Sequence, residues 1–144
     1  TTLIALYKWN DAYIYDEVLY KKGMLNRDIS RFLRELNIKE NIIADSAEPK
    51  SIAELNGYGH SVYPVSKGRD SVVYGINLIN QNEIFITKKS TNLKKELQGY
   101  IWAKDKDGNT LQKPTGSHPD CIDAARYVLT DILENPNKGE YHIY

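Results

Sequence analysis

Hydrophobic and polar positions fall into a pattern from the first residues onward. Leu3–Trp9 and Ala12–Tyr20 are rich in aliphatic and tyrosine residues, and Asn10-Asp11 between them is a turn signal, which together predict a β-hairpin. Gly23 breaks the run. Apolar residues return at helical spacing, with Ile29, Phe32, Leu33 and Leu36 at i, i+3, i+4 and i+7 and Asn26 placed as a cap. The short apolar run Ile42–Ala44 predicts a buried strand, and Pro49–Asn56 a short helix that stops at Gly57. Ser61–Val65 reads as another short strand. Asp70 or Ser71 is placed to cap a helix carrying Val72, Ile76 and Ile79 on one face. Ile84 and Ile86 alternate with polar residues as in a strand, and Leu93, Leu97 and Ile101 predict a helical segment that Gly99 weakens at its end. Asp107-Gly108 is a strong hairpin turn between Tyr100–Lys104 and Thr110–Gln112. Pro119 opens a last helix with Ile122, Ala125, Leu129 and Ile132 facing inward, and the stretch from Asn135 to Gly139 ends it.

A hairpin followed by alternating helices and strands predicts an α/β domain with a mixed sheet. The 144 residues fit one domain, with no internal repeat, low-complexity segment or linker. Hydrophobic residues make up 41% of the chain, enough for a packed core and against disorder. No apolar run reaches membrane-spanning length, and the start carries no signal-peptide pattern. The single cysteine, Cys121, rules out an internal disulfide and reads as a small core residue. Eleven tyrosines against two phenylalanines suit half-buried sheet faces and wet interfaces. Nineteen basic and nineteen acidic residues leave no formal net charge, so any argument for nucleic-acid binding must be local.

Two acidic segments far apart in sequence carry the candidate chemistry. In the segment from Ile42 to Lys50, Asp45 emerges at the carboxyl end of a buried strand, where open α/β sheets bind ligands, and Glu48 follows three residues later. In the segment from Asp120 to Tyr127, Asp120 and Asp123 share one face of the first helical turn. Each has a plainer reading: Asp45 or Ser46 caps the next helix, and Asp120 and Asp123 complement a helix dipole. Jointly they supply the hard oxygen donors that a divalent-metal site draws from distant segments, and paired metals hydrolyse phosphodiesters. The Lys67-Gly68-Arg69-Asp70-Ser71 loop can hold a phosphate or stand as a solvated loop. The lysine surplus from Lys88 to Lys113 can track a phosphate backbone or form a solvated surface. His118 is either a ligand, a general acid or a turn residue. No P-loop, Cys-x-x-Cys or His-Glu-x-x-His motif is present.

The order of these pieces resembles the nuclease domain of the large terminase subunit of tailed bacteriophages. Asp45-Ser46-Ala47-Glu48-Pro49-Lys50-Ser51-Ile52 and Asp123-Ala124-Ala125-Arg126-Tyr127 carry the resemblance most specifically, and it covers nearly the whole chain. It implies a ribonuclease H-like fold and a metal-dependent endonuclease that cuts concatemeric viral DNA during packaging with two Mg2+ or Mn2+ ions. By this resemblance Asp45 is the metal-bridging strand acid and Asp123 the helix acid. Asp120 stands where many members carry a histidine or another ligand, and Lys67 matches a loop lysine near the DNA path, with Arg69 beside it. The resemblance also implies double-stranded DNA, a portal protein and a small terminase subunit as partners, and the host cell cytoplasm as the location. In the family another strand precedes the Thr2–Trp9 segment and ends in a further metal-binding aspartate. This chain begins after it, and Asp11 and Asp16 lie on the wrong side of the hairpin to replace it. The domain is therefore expected to lack its first strand, and the ATPase domain, and to be weakly active or inactive alone. Another ribonuclease H-like nuclease, such as a resolvase or transposase core, and a non-catalytic assembly domain using the tyrosine-rich surface and the Tyr141–Tyr144 tail are the alternatives.

Overall fold

A computed structural model describes residues 1–68, 71–100, 102–104, 110–114 and 119–134. The predicted hairpin forms from β1 (Thr2–Trp9) and β2 (Ala12–Tyr20), paired antiparallel. Asn10 adopts the left-handed region at the turn, φ 53°, which its short polar side chain tolerates. The register shifts between Leu3 and Ile4, which leaves Val18 as an extra residue in β2. A third strand, β5 (Ile84–Ile86), runs parallel to β2 on its other edge. A second ladder pairs β3 (Ile42–Ala44) with β4 (Val62–Pro64) in parallel, and β6 (Trp102–Lys104) with β7 (Thr110–Pro114) forms a separate antiparallel pair. The Asp107-Gly108 turn expected between β6 and β7 lies outside the described residues, as do Asp70, Ile101, His118 and the tail.

The helices are α1 (Asn26–Glu35), α2 (Pro49–Gly57), α3 (Ser71–Gln81), α4 (Thr91–Gln98) and α5 (Asp120–Glu134). Asn26 is not the cap expected of it. Leu25 holds that position, the Asp28 carboxylate accepts the Leu25 N–H at 3.0 Å, and the Asn26 amide instead donates to Ser51 and Glu54 of α2. A side chain already committed to a neighbouring helix cannot also cap its own.

Alternation along β2 sets the core. Tyr13 and Tyr15 face inward and pack with Ile4, Leu6, Leu93, Cys121, Ala125 and Leu129 beneath α4 and α5. The buried Tyr15 hydroxyl donates to the Ala125 carbonyl at 2.7 Å. Cys121 is fully buried there, as its sequence setting predicts. Glu17, two residues beyond Tyr15, accepts the Leu93 N–H at 2.8 Å and the Asn92 amide at 2.8 Å, so β2 supplies the first turn of α4 with an acceptor. Glu96 of α4 in turn accepts the Cys121 and Ile122 N–H groups at 2.9 and 3.3 Å, serving the first turn of α5.

The sheet is mixed, flanked by helices and interrupted. No ladder joins β1 to β3 among the described residues. Between them lies a groove of about 950 Å³ lined by Leu6, Ile43, Phe32 and Val128 among others. α5 contacts both β1 and β3 and so bridges the two ladders.

Candidate active site

The groove mouth gathers the predicted acids. Asp45 follows the last residue of β3, and Asp120 and Asp123 occupy the first turn of α5; all three line the groove. Asp45 does not cap α2. Its Oδ1 accepts the Ala47 N–H at 2.9 Å, a local turn bond, while Glu48 holds the position before α2 without a side-chain cap. Oδ1 of Asp45 also accepts the Lys67 ammonium at 2.5 Å. That hydrogen bond first, and the Ala47 N–H next, hold the Asp45 carboxyl below the ordinary carboxylate value; partial burial opposes them, and the charges of Lys67 and Arg126 add to the lowering. For Lys67, burial works against the charged form, but the hydrogen bond to Asp45 and the neighbouring Tyr127 outweigh it and raise its pKa.

Asp123 has a different partner. The Arg126 Nε and Nη2 both approach Asp123 Oδ1 at 3.1 Å, one helical turn along α5. Because Glu96 already serves the first amides of α5, Asp123 is free of that duty. Arg126 is 6% exposed, and the stem of its side chain lies against α3, where Gly75 leaves room. Its guanidinium sits 4.6 Å from the centre of the Tyr127 ring, and the Lys67 ammonium sits 5.1 Å from that centre. Asp45, Lys67, Tyr127, Arg126 and Asp123 thus form one continuous chain of contacts across the groove mouth. Asp120 is exposed at its edge.

The donor chemistry suits a hard divalent cation. Both Asp45 and Asp123 commit Oδ1 to hydrogen bonds and keep Oδ2 without one among the described residues. The two cations beside them mark where positive charge is favoured. Among the described residues, no three His, Cys, Asp or Glu side chains stand close enough together to hold one ion. Arg69, expected beside Lys67, lies outside the described residues.

Arg126 and Tyr127 carry the arrangement, yet the sequence by itself assigns them no role. The available signal is spacing. Positions three and four after Asp123 on one helix face are the places for a counter-ion and a stacking ring.

The family model of the terminase RNase H-like domain matches residues 2–131. The chain is 32% identical over 121 residues to the PBSX phage terminase large subunit of Bacillus subtilis strain 168, covering 83% of this chain and 28% of that protein. It is 27% identical over 125 residues to the terminase large subunit of Bacillus phage SPP1, covering 83% and 29%. It therefore spans less than a third of the length of these relatives. The manganese-bound nuclease domain of the SPP1 large terminase superposes with a TM-score of 0.72 at 22% identity, over 90% of this chain and 85% of that one. The large terminase of a thermophilic bacteriophage superposes with a TM-score of 0.63 at 18% identity, over 92% and 40%. The interrupted mixed sheet, the strand-end and helix-start acids at its groove, and a family match running through nearly all of it lead to one assignment: this chain belongs to the terminase RNase H-like domain family.

Proposed function

We propose that the chain is the cutting domain of a phage packaging enzyme, a divalent-metal-dependent endodeoxyribonuclease acting on concatemeric viral DNA in the host cytoplasm. The observation that carries this reading is the pair Asp45 and Asp123, drawn from segments 78 residues apart in number to one groove, each with one carboxylate oxygen that makes no hydrogen bond among the described residues. Asp45 and Asp123 would hold the metal, with Asp120 beside them, and two Mg2+ or Mn2+ ions fit the resemblance. Ions bound there supply Lewis acidity at the scissile phosphate and offset the charge that grows on its oxygens. The chain's own residues do the positioning. The Ala47 N–H fixes the Asp45 carboxylate, Arg126 fixes that of Asp123, and Lys67 with Arg69 presents positive charge to the phosphate backbone. Such contacts orient DNA without reading its sequence, so cutting is expected to be nearly indifferent to sequence. A formal net charge of zero gives weak DNA affinity, which supports partners that hold the DNA; a portal protein and a small subunit suit that part.

The groove between β1 and β3 supports a further part of the reading. It has room for one more strand. A strand seated there with an additional carboxylate would give two dications more negative charge, and this chain without it is expected to cut weakly or not at all. The test is manganese-dependent nicking of supercoiled plasmid by this chain, by the same chain lengthened ahead of Thr1 with the implied strand, and by Asp45→Asn of each. Nicking by the lengthened chain that Asp45→Asn abolishes is the expected result. Unchanged nicking in Asp45→Asn would sink the metal reading in favour of a non-catalytic assembly role. Robust nicking by the short chain would sink the claim that the strand matters.

A further inference from the structure

We propose that Lys67, held over the Tyr127 ring, is the resident counter-ion of Asp45, and that a divalent cation and Lys67 compete for that carboxylate. The inference rests on reading Asp45 as a metal ligand. Asp45 and Asp123 carry two negative charges, and Lys67 and Arg126 neutralise them across one aromatic ring. A dication added beside both would leave an excess of two positive charges in a half-buried groove mouth. One basic side chain must therefore yield. Arg126 is buried, bonded through two nitrogens to Asp123, and its Cβ lies where a Cβ on Gly75 would come within 2.9 Å, so α3 hems it in. Lys67 keeps a side-chain exposure of 31%, holds Asp45 by one ammonium, and sits on a loop after β4. Lys67 is the exchangeable cation, and Arg126 is the positioning residue that keeps Asp123 in place throughout. Displacement releases the ammonium at the groove mouth, within reach of the phosphate that a metal-loaded site would attract. The same lysine thus keeps the acid pair quiet before loading and adds to the substrate's welcome after it.

The test is Mn2+ affinity, read by titration calorimetry on the folded chain, with no activity required. Lys67→Met removes the competitor and is expected to tighten Mn2+ binding roughly three- to tenfold, the range set by loss of a part-exposed ion pair and of a nearby like charge. Lys95→Met, an equal charge change at an exposed position on α4, is expected to leave it unchanged. Asp45→Asn is expected to abolish it. Loss of binding in Asp45→Asn with wild-type affinity in Lys67→Met would overturn the competition and leave the ligand reading standing. Equal tightening by Lys95→Met would overturn it too, as mere net charge. Equal binding by Asp45→Asn and wild type, or no Mn2+ binding by any form at millimolar metal, would reject Asp45 as a ligand and the competition with it.

Discussion

Gly75 shows how one missing methyl can set a site. A Cβ built there would stand 2.9 Å from Arg126 Cβ and 3.1 Å from its Cδ. The nearer atom is anchored to the α5 backbone and cannot swing away as a flexible tip would. Gly75→Ala would gain about 1 kcal/mol of helix propensity in α3. Overpacking a close helix contact costs about 1–3 kcal/mol, so the clash is expected to win or at best to cancel. Urea unfolding should therefore give a lower midpoint for Gly75→Ala, together with a disturbed Arg126–Asp123 pair seen in the guanidinium Nε–H resonance. A clear rise in midpoint would mean that α3 and α5 sit further apart than described. The sequence places Ile76 and Ile79 on the inner face of this helix but is silent on Gly75, because a glycine's reason for being small lies on the partner helix. Arg126 and Tyr127 are illegible for the same reason. Their spacing from Asp123 is visible, but their shared use with Lys67 depends on a loop 59 positions away.

At the scale of elements, local pattern carries most of the fold. Aliphatic and tyrosine-rich runs around the Asn10-Asp11 turn predict the hairpin, and helical spacing predicts α1 and α5; in α5 Ala125, Leu129 and Ile132 of that spacing meet the core, whereas in α1 Leu33 is buried and Leu36 is exposed. Helix starts are less legible. Asn26 reads as a cap from its type alone, whereas it reaches α2, and the first turns of α4 and α5 are served by Glu17 and Glu96 from other elements. Tertiary capping of this kind leaves no local signature. It does make a prediction. Glu96→Ala withdraws the acceptor for two amides at the start of α5 and should cost about 0.5–2 kcal/mol, the range for a lost N-cap. Glu96→Gln keeps an oxygen there and should retain most of that stability. Chemical denaturation of the three forms measures it, and an Ala variant equal to wild type would mean those amides have another acceptor.

At the scale of the whole molecule, the described strands form three separate sheets, and helices join the β1–β2–β5 sheet to the β3–β4 ladder. The β3–β4 ladder meets the rest through α5 and through the α1–α2 contact, while β1 and β3 both line the groove with no ladder between them among the described residues. A strand bonded on one edge protects its amides less than a strand bonded on both, and local opening can occur there below the cost of global unfolding. β2 has partners on both sides, β1 and β5, and Tyr15 anchors it to α5. Amide hydrogen exchange should therefore be fast over Ile42–Ala44 and slow over Tyr13–Tyr15. The comparison sharpens when the chain is lengthened ahead of Thr1 with the implied strand. If that strand seats between β1 and β3, exchange over Ile42–Ala44 should slow by about tenfold or more, equivalent to roughly 1.4 kcal/mol of added local stability, since every tenfold in an opening equilibrium is that amount. Exchange over Tyr13–Tyr15, already protected on both edges, should change much less. Equal slowing in both segments would report general stabilisation and not a seated strand. No slowing at Ile42–Ala44 would mean that the groove is not a strand site, and the expected gain in nicking by the lengthened chain would then need a different cause.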